Sequence, residues 1–321
     1  MWSLEPFLLV FEANVSLSIS MHFSCIQLFR NLACTLIFLS SNLGVVYGHD
    51  LFLRPEAYRI DPKDAVKILV FDGTFDESVY PVPRGSVDKL EMSGSHDRIT
   101  LPIDSWERVR SGSKIWRATQ KTAGILGGTN LTHTSSFVVT PSTEGSHTIV
   151  LTLYEFRVAL SLEDFTGYLR GEAANEMDLS IYGFSNPTES IKERFTKVAK
   201  TIVHVGDKLS DDVTKPLGLL VEIVPMSNPG TAKKGDTLEF QILEEGKPLI
   251  NQSVVVGRKM GFFKDSDSSK IVLHSNDKGI VSLPITHPGV WWLKFILLQP
   301  APEDDAMDFF SRWSSLTFEV N

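Results

Sequence analysis

The chain has 321 residues and carries 31 lysines and arginines against 39 aspartates and glutamates, a formal net charge of −8. No clustered Lys/Arg run supplies the basic stripe that a phosphate backbone attracts, which argues against nucleic acid as a partner. Both cysteines, Cys25 and Cys34, lie in the amino-terminal leader, so the rest of the chain holds neither a disulfide nor a thiolate metal site.

Residues 1–48 read as that leader. The apolar run Ala33–Ser40 has the length of a signal-peptide core and is short for a bilayer crossing. Met21 opens a mildly basic segment ending at Arg30, whereas the residues before it include Glu5 and Glu12, so Met21 reads as the true start. Val46 and Gly48 are the short residues that a signal peptidase accepts, and cleavage after Gly48 leaves His49 as the first residue of an exported chain. That predicts a periplasmic or extracellular protein with no transmembrane segment beyond the cut. The rival reading is an uncleaved anchor over 32–47, interrupted by the polar Ser40-Ser41-Asn42.

Beyond His49 the pattern is that of short strands broken by turns. Val66–Phe71 ends at Asp72-Gly73; Lys89–Met92, Ile115–Ala118, Ser135–Val139 and His147–Leu153 follow. The glycines Gly124, Gly127 and Gly128 lack the Gly-Lys-Ser/Thr of a phosphate loop. Leu162 to Met177 predicts a short helix. Over Glu189–Val203, Ile191, Phe195, Val198 and Ile202 recur at spacings of four, three and four, which predicts a second helix with Lys192, Glu193, Lys197 and Lys200 outside. Strands resume at Leu219–Pro225, Leu238–Leu243, Val254–Val256, Lys270–Leu273, Gly279–Leu283, Trp291–Ile296 and Ser315–Val320. The predicted fold is mainly β: a β-sandwich domain over 49–160, a helical connector over 161–216, and an Ig-like β-sandwich over 217–321.

Four stretches in this order resemble the DUF4198 family. They are His49-Asp50-Leu51-Phe52-Leu53-Arg54-Pro55, Phe165–Leu169, Leu219–Pro225 with Asn228-Pro229 after it, and Trp313–Val320. The resemblance spans His49 to Val320 and implies an exported bacterial protein whose relatives are described as periplasmic components of nickel or cobalt uptake. It therefore implies a membrane transporter component as a partner, and it assigns no metal ligands. The second domain is also similar to modules of the carboxypeptidase-regulatory or transthyretin type, which carry no activity of their own.

Seven histidines follow the leader, and no two are spaced His-x-x-x-His, so no helix presents a ready zinc site. An amino-terminal His49 offers its imidazole and its amine together, donors that suit nickel, copper or zinc. The expected metal site, for nickel, cobalt or copper, is therefore His49 with Asp50 and a non-local imidazole, His133, with His96 and His147 as alternatives to it. The loops Asp265–Ser269 and Glu303–Asp308 are acidic but lack the glycine and closing glutamate of a calcium loop. Trp291-Trp292 alternates along a strand, so one indole faces the core; for the other, core packing is the expectation over exposure for stacking on a carbohydrate, because a sandwich domain commonly buries a tryptophan. With neither a Gly-x-Ser-x-Gly elbow nor a thiol nucleophile, no catalytic residues are expected and the chain does not read as an enzyme. The competing reading is a cell-envelope adaptor that presents its Ig-like domain to a protein or carbohydrate partner.

Overall fold

The computed structural model describes residues 49–94, 98–108, 134–171, 183, 184, 186, 190–259 and 270–321. Its amino-terminal strands are β1 (Asp50–Pro55), β2 (Arg59–Ile60), β3 (Val66–Gly73), β4 (Ser78–Tyr80), β5 (Val87–Ser93), β6 (Arg98–Thr100), β7 (Glu107–Arg108), β8 (Ser135–Val139), β9 (Gly145–Leu153) and β10 (Phe156–Ser161). The helix α1 (Leu162–Gly171) precedes β11 (Ser190–Val205), β12 (Val221–Pro225), β13 (Thr237–Glu244), β14 (Lys247–Pro248) and β15 (Ser253–Arg258). The last strands are β16 (Ile271–His274), β17 (Ile280–Pro284), β18 (Gly289–Pro300) and β19 (Phe309–Val320). The fold is mainly β, as expected. Among the described residues no helix is long and apolar enough to cross a membrane. The expected strand Ile115–Ala118, the glycines at 124, 127 and 128 and the Asp265–Ser269 loop lie outside the described residues.

A ten-stranded sheet, ordered β16-β15-β18-β19-β11-β9-β5-β6 with β10 and β2 also on β11, forms the central layer. It draws strands from both 49–160 and 217–321, and residues Tyr47–Asn321 make one compact unit. On one face a four-stranded sheet of β12, β13, β14 and β17 encloses a core that includes Val198, Ile202, Phe240, Leu316 and Phe318. On the other, the five-stranded sheet β1-β3-β8-β7, with β4 on β3, packs Leu51, Leu53, Val70 and Phe137 against Ile149, Leu151, Ala199 and Val203.

The expected helix over 189–203 is instead the strand β11, paired parallel with β19 and antiparallel with β9 and β10. Its second half is buried on both faces, Val198 and Ile202 in one core and Ala199 and Val203 in the other. A doubly buried strand does not alternate cleanly, so its apolar positions fell by coincidence on a helical spacing. The residues taken for a solvent face are largely interior: Glu193, Lys197 and Lys200 are each buried. Lys200 lies 2.8 Å from Glu222, which also accepts from the Leu217 amide, so the buried charge is compensated. Among the described residues of 161–216 the α-helix is α1, with a short 3-10 turn at Asp211–Thr214. Helix α1 starts with a reciprocal cap, in which Asp164 N donates to Ser161 Oγ at 3.0 Å and that hydroxyl donates back to Asp164 Oδ2.

Strand β1 is the joint between layers. It pairs with β3 along one edge, while the carbonyls of its other edge accept from hydroxyls of the central sheet, Leu51 O from Ser315 and Leu53 O from Thr317 at 2.6 Å. Short hydroxylated residues on β19 let the β1 backbone approach and satisfy groups that would otherwise be buried unpaired. Leu51 and Leu53 enter the core beneath the five-stranded sheet on one side, and Phe52 packs edge-on against Trp292 on the other, with ring centroids 5.4 Å apart. Both Trp291 and Trp292 are buried, at 4% and 2% exposure, in keeping with the expected core packing and leaving neither indole for carbohydrate stacking. Space for Trp292 comes from Gly257 opposite it, where a Cβ would stand 2.2 Å from the indole.

Candidate functional site

His49 stands immediately before β1, half-buried, with its ring 6.1 Å from that of Tyr80. Burial is the largest influence on its imidazole and pushes the pKa below the ordinary 6.5. Among the charges around it, Asp72 comes next and favours the protonated ring, Lys197 opposes it more weakly, and Asp50 favours it again. His49 therefore occupies a place where dehydration disfavours the extra proton while the charged neighbours, led by a carboxylate, favour positive charge.

Two buried lysines of the central sheet hold these carboxylates. Asp50 is buried at the first position of β1, and its Oδ2 accepts from Lys294 Nζ on β18. Lys197 on β11 donates to Asp72 Oδ1 at 2.8 Å, and its ammonium also lies 5.6 Å from the Trp313 ring centroid. Removing a charge from water is costly unless it is paired, so these pairs fix the end of β1 and β3 on the central sheet. They also spend part of the donor capacity of the carboxylates. Asp50, expected as a ligand, faces an ammonium instead, and Asp72 is the carboxylate that acts most strongly on His49.

His133 and His96 lie outside the described residues. His147 is buried on β9, where its Nε2 donates to Thr143 O at 2.8 Å. His204 on β11 is equally buried, and Ser146 Oγ lies 2.8 Å from its Nδ1. That hydroxyl accepts from Asn228 Nδ2 at 2.8 Å and from the Ser210 amide at 3.2 Å, so its own proton goes to Nδ1 and the ring hydrogen sits on Nε2. Nε2 finds no partner among the described residues and is packed against Gly230, where a Cβ would be 2.4 Å away. The Asn228-Pro229-Gly230 stretch is thus a lock on a buried histidine. Of the acidic tail loop, Asp305 pairs with Arg194 at 2.9 Å and Asp308 accepts from the Lys192 amide.

Tested against these residues, a divalent metal finds one neutral imidazole at His49 and one nearby carboxylate, Asp72, shared with Lys197. Among the described residues no three His, Cys, Asp or Glu side chains come together as metal donors. The fit is to an open site that needs donors beyond the side chains placed here. Sequence reasoning missed Asp72, Lys197 and Lys294, and the signal was present: Lys294 is a lone charge inside the apolar strand Trp291–Ile296. Such a residue requires a buried partner.

A family model described as a domain of unknown function, DUF4198, matches residues 46–298. The chain belongs to the DUF4198 family. No curated protein matches this DUF4198 chain. Among solved structures, dimeric latent PorU from Porphyromonas gingivalis is 10% identical over 85% of the chain, with a TM-score of 0.18, and the chain spans 20% of its length. A mouse coronavirus receptor-binding domain complexed with its murine receptor gives 9% identity, 85% and 99% coverage and a TM-score of 0.18. Murine CEACAM1b gives 9%, 85%, 100% and 0.17. At these scores none of the three carries an argument about this DUF4198 protein.

Proposed function

We propose that the chain is an exported binding protein, not an enzyme, that takes up a divalent transition metal at the start of β1 and assists its passage across the cell envelope. Nickel, cobalt and copper are the candidate ions, since each accepts nitrogen donors. The observation that carries the reading is the setting of His49. Its imidazole is kept neutral by burial, as a metal ligand must be, while Asp72 and Asp50 favour positive charge at that place.

Cleavage after Gly48 adds the His49 amine as a second nitrogen, in the same residue as the first. His133 remains the proposed non-local imidazole. Asp50 moves from ligand to support, anchoring the strand end through Lys294. The amine must lose its proton to bind, so metal affinity weakens as pH falls through about 8, the ordinary range of an α-amine, while the lowered imidazole pKa keeps the ring available as a ligand to more acidic pH.

The test is calorimetric titration with nickel, cobalt, copper and zinc of protein that begins at His49, of its His49→Ala and His133→Ala variants, and of a form with residues retained before His49. The reading expects binding that His49→Ala abolishes and that the extension weakens. Loss with His49→Ala alone keeps the site and discards His133. Equal binding by every form, or none by the form beginning at His49, overturns it.

A further inference from the structure

The face of the central sheet that is covered by the four-stranded sheet emerges beyond that cover into an open groove of about 240 Å3. Parallel pairing of β11 with β19 sets Arg194 beside Phe310 and Thr196 beside Arg312, and strand alternation turns all four to this face. Leu220 and Glu155 complete the walls. The guanidinium carbons of Arg194 and Arg312 lie 5.5 and 5.9 Å from the Phe310 ring centroid, so one phenyl ring has two planar, donor-rich groups near it.

Each arginine is braced by carboxylates, of which Glu155 belongs to the wall itself. Arg194 Nη2 meets Asp305 at 2.9 Å, and its Nε is 3.9 Å from Glu155. Arg312 Nη1 meets Glu244 at 2.6 Å, and its Nη2 meets Glu245 at 3.2 Å. A guanidinium has five N–H donors, so these contacts fix the planes and leave further donors on two arginines that line the groove. Glu155 also pairs with Arg157 at 3.5 Å, so four carboxylates against three guanidiniums leave the surroundings net negative by one, which disfavours phosphate or another anion. The wall nonetheless combines fixed donors, carboxylate acceptors, the Thr196 hydroxyl and two apolar surfaces, Phe310 and Leu220. Its volume is below the ~300–1,000 Å3 of sites for drug-sized ligands.

We propose that this groove binds one ring of a neutral saccharide, its hydroxyls held by the charge-compensated arginines and its C–H face against Phe310 and Leu220. This goes beyond the metal reading and involves none of its residues. The test uses the full chain and a panel of neutral mono- and disaccharides, acidic sugars and a lysine-rich peptide, followed by saturation-transfer NMR. Two variants accompany it: Phe310→Ala, and Leu220→Trp, which fills the groove from a position that is already 41% exposed and spares the core. Binding of a neutral sugar that weakens about fivefold to tenfold in Phe310→Ala, as loss of one aromatic contact implies, and is blocked in Leu220→Trp supports the proposal. It is overturned if no neutral sugar binds, if binding survives Leu220→Trp, or if only acidic sugars or the basic peptide bind.

Discussion

Burial disfavours the charged forms of both His49 and His204, yet the leading charges beside them have opposite signs. Around His204 the named neighbours are Arg59 and His147, both of which lower its pKa further, to about 4. Around His49 the leading neighbour is Asp72, which raises it. His204 is also sealed by Ser146, Asn228 and Gly230, whereas His49 is half-buried at the end of a strand. Burial alone therefore does not mark a ligand. The sign of the surrounding charge and a route to solvent separate a histidine that serves the fold from one able to receive a cation.

The comparison breaks most visibly at the support beneath His49. Asp50→Ala leaves the Lys294 ammonium buried without its carboxylate and is expected to destabilise the fold by about 3–5 kcal/mol. Denaturant unfolding measures this, and the double replacement Asp50→Leu with Lys294→Met should recover most of the loss. A small loss in the single variant would mean that the β1 joint depends little on this pair.

Acid acts next, at His204. Its folded pKa, about 4, lies below the ordinary 6.5, so the unfolded chain binds the proton more tightly. The contribution is fully present above pH 6.5, is lost as pH falls from 6.5 toward 4, and is constant below that; the whole step is about 3 kcal/mol. His147 is lowered as well and adds in the same direction. Stability measured between pH 7 and 4 should lose much of this dependence in His204→Gln. An unchanged slope would contradict the burial account.

Gly230→Ala forces a Cβ against the His204 ring and should cost about 1–3 kcal/mol by overpacking, read as a lower unfolding midpoint. His49→Ala sharpens the contrast from the other side. At a half-buried strand end it should change stability by less than about 1 kcal/mol while removing metal binding.

Much of the architecture was legible in the sequence because strands covered on one face alternate. Thr237–Glu244 reads apolar at Leu238, Phe240 and Ile242, and all three are buried, with Leu243 beside them. β11 was not legible for the reason that makes it central: with a core on each face and its lysines neutralised by distant carboxylates, neither alternation nor polarity reported its environment. Trp291 and Trp292 are both buried because both faces of β18 are covered there, which alternation alone does not show. At the site, His49 and Asp50 were visible from their position behind the leader. Lys294 as the partner of Asp50 was not, because 244 residues separate them and only the sheet order brings them together.

The most direct test of the central claim follows the histidine ring signals of protein beginning at His49 by 1H–15N NMR while nickel or cobalt is added. The account predicts that the His49 ring responds first and selectively, while His204 and His147, buried and locked by Ser146 and Thr143, stay unchanged until after it saturates. A His49 signal indifferent to the metal, or a His204 signal that moves before it, would contradict the account.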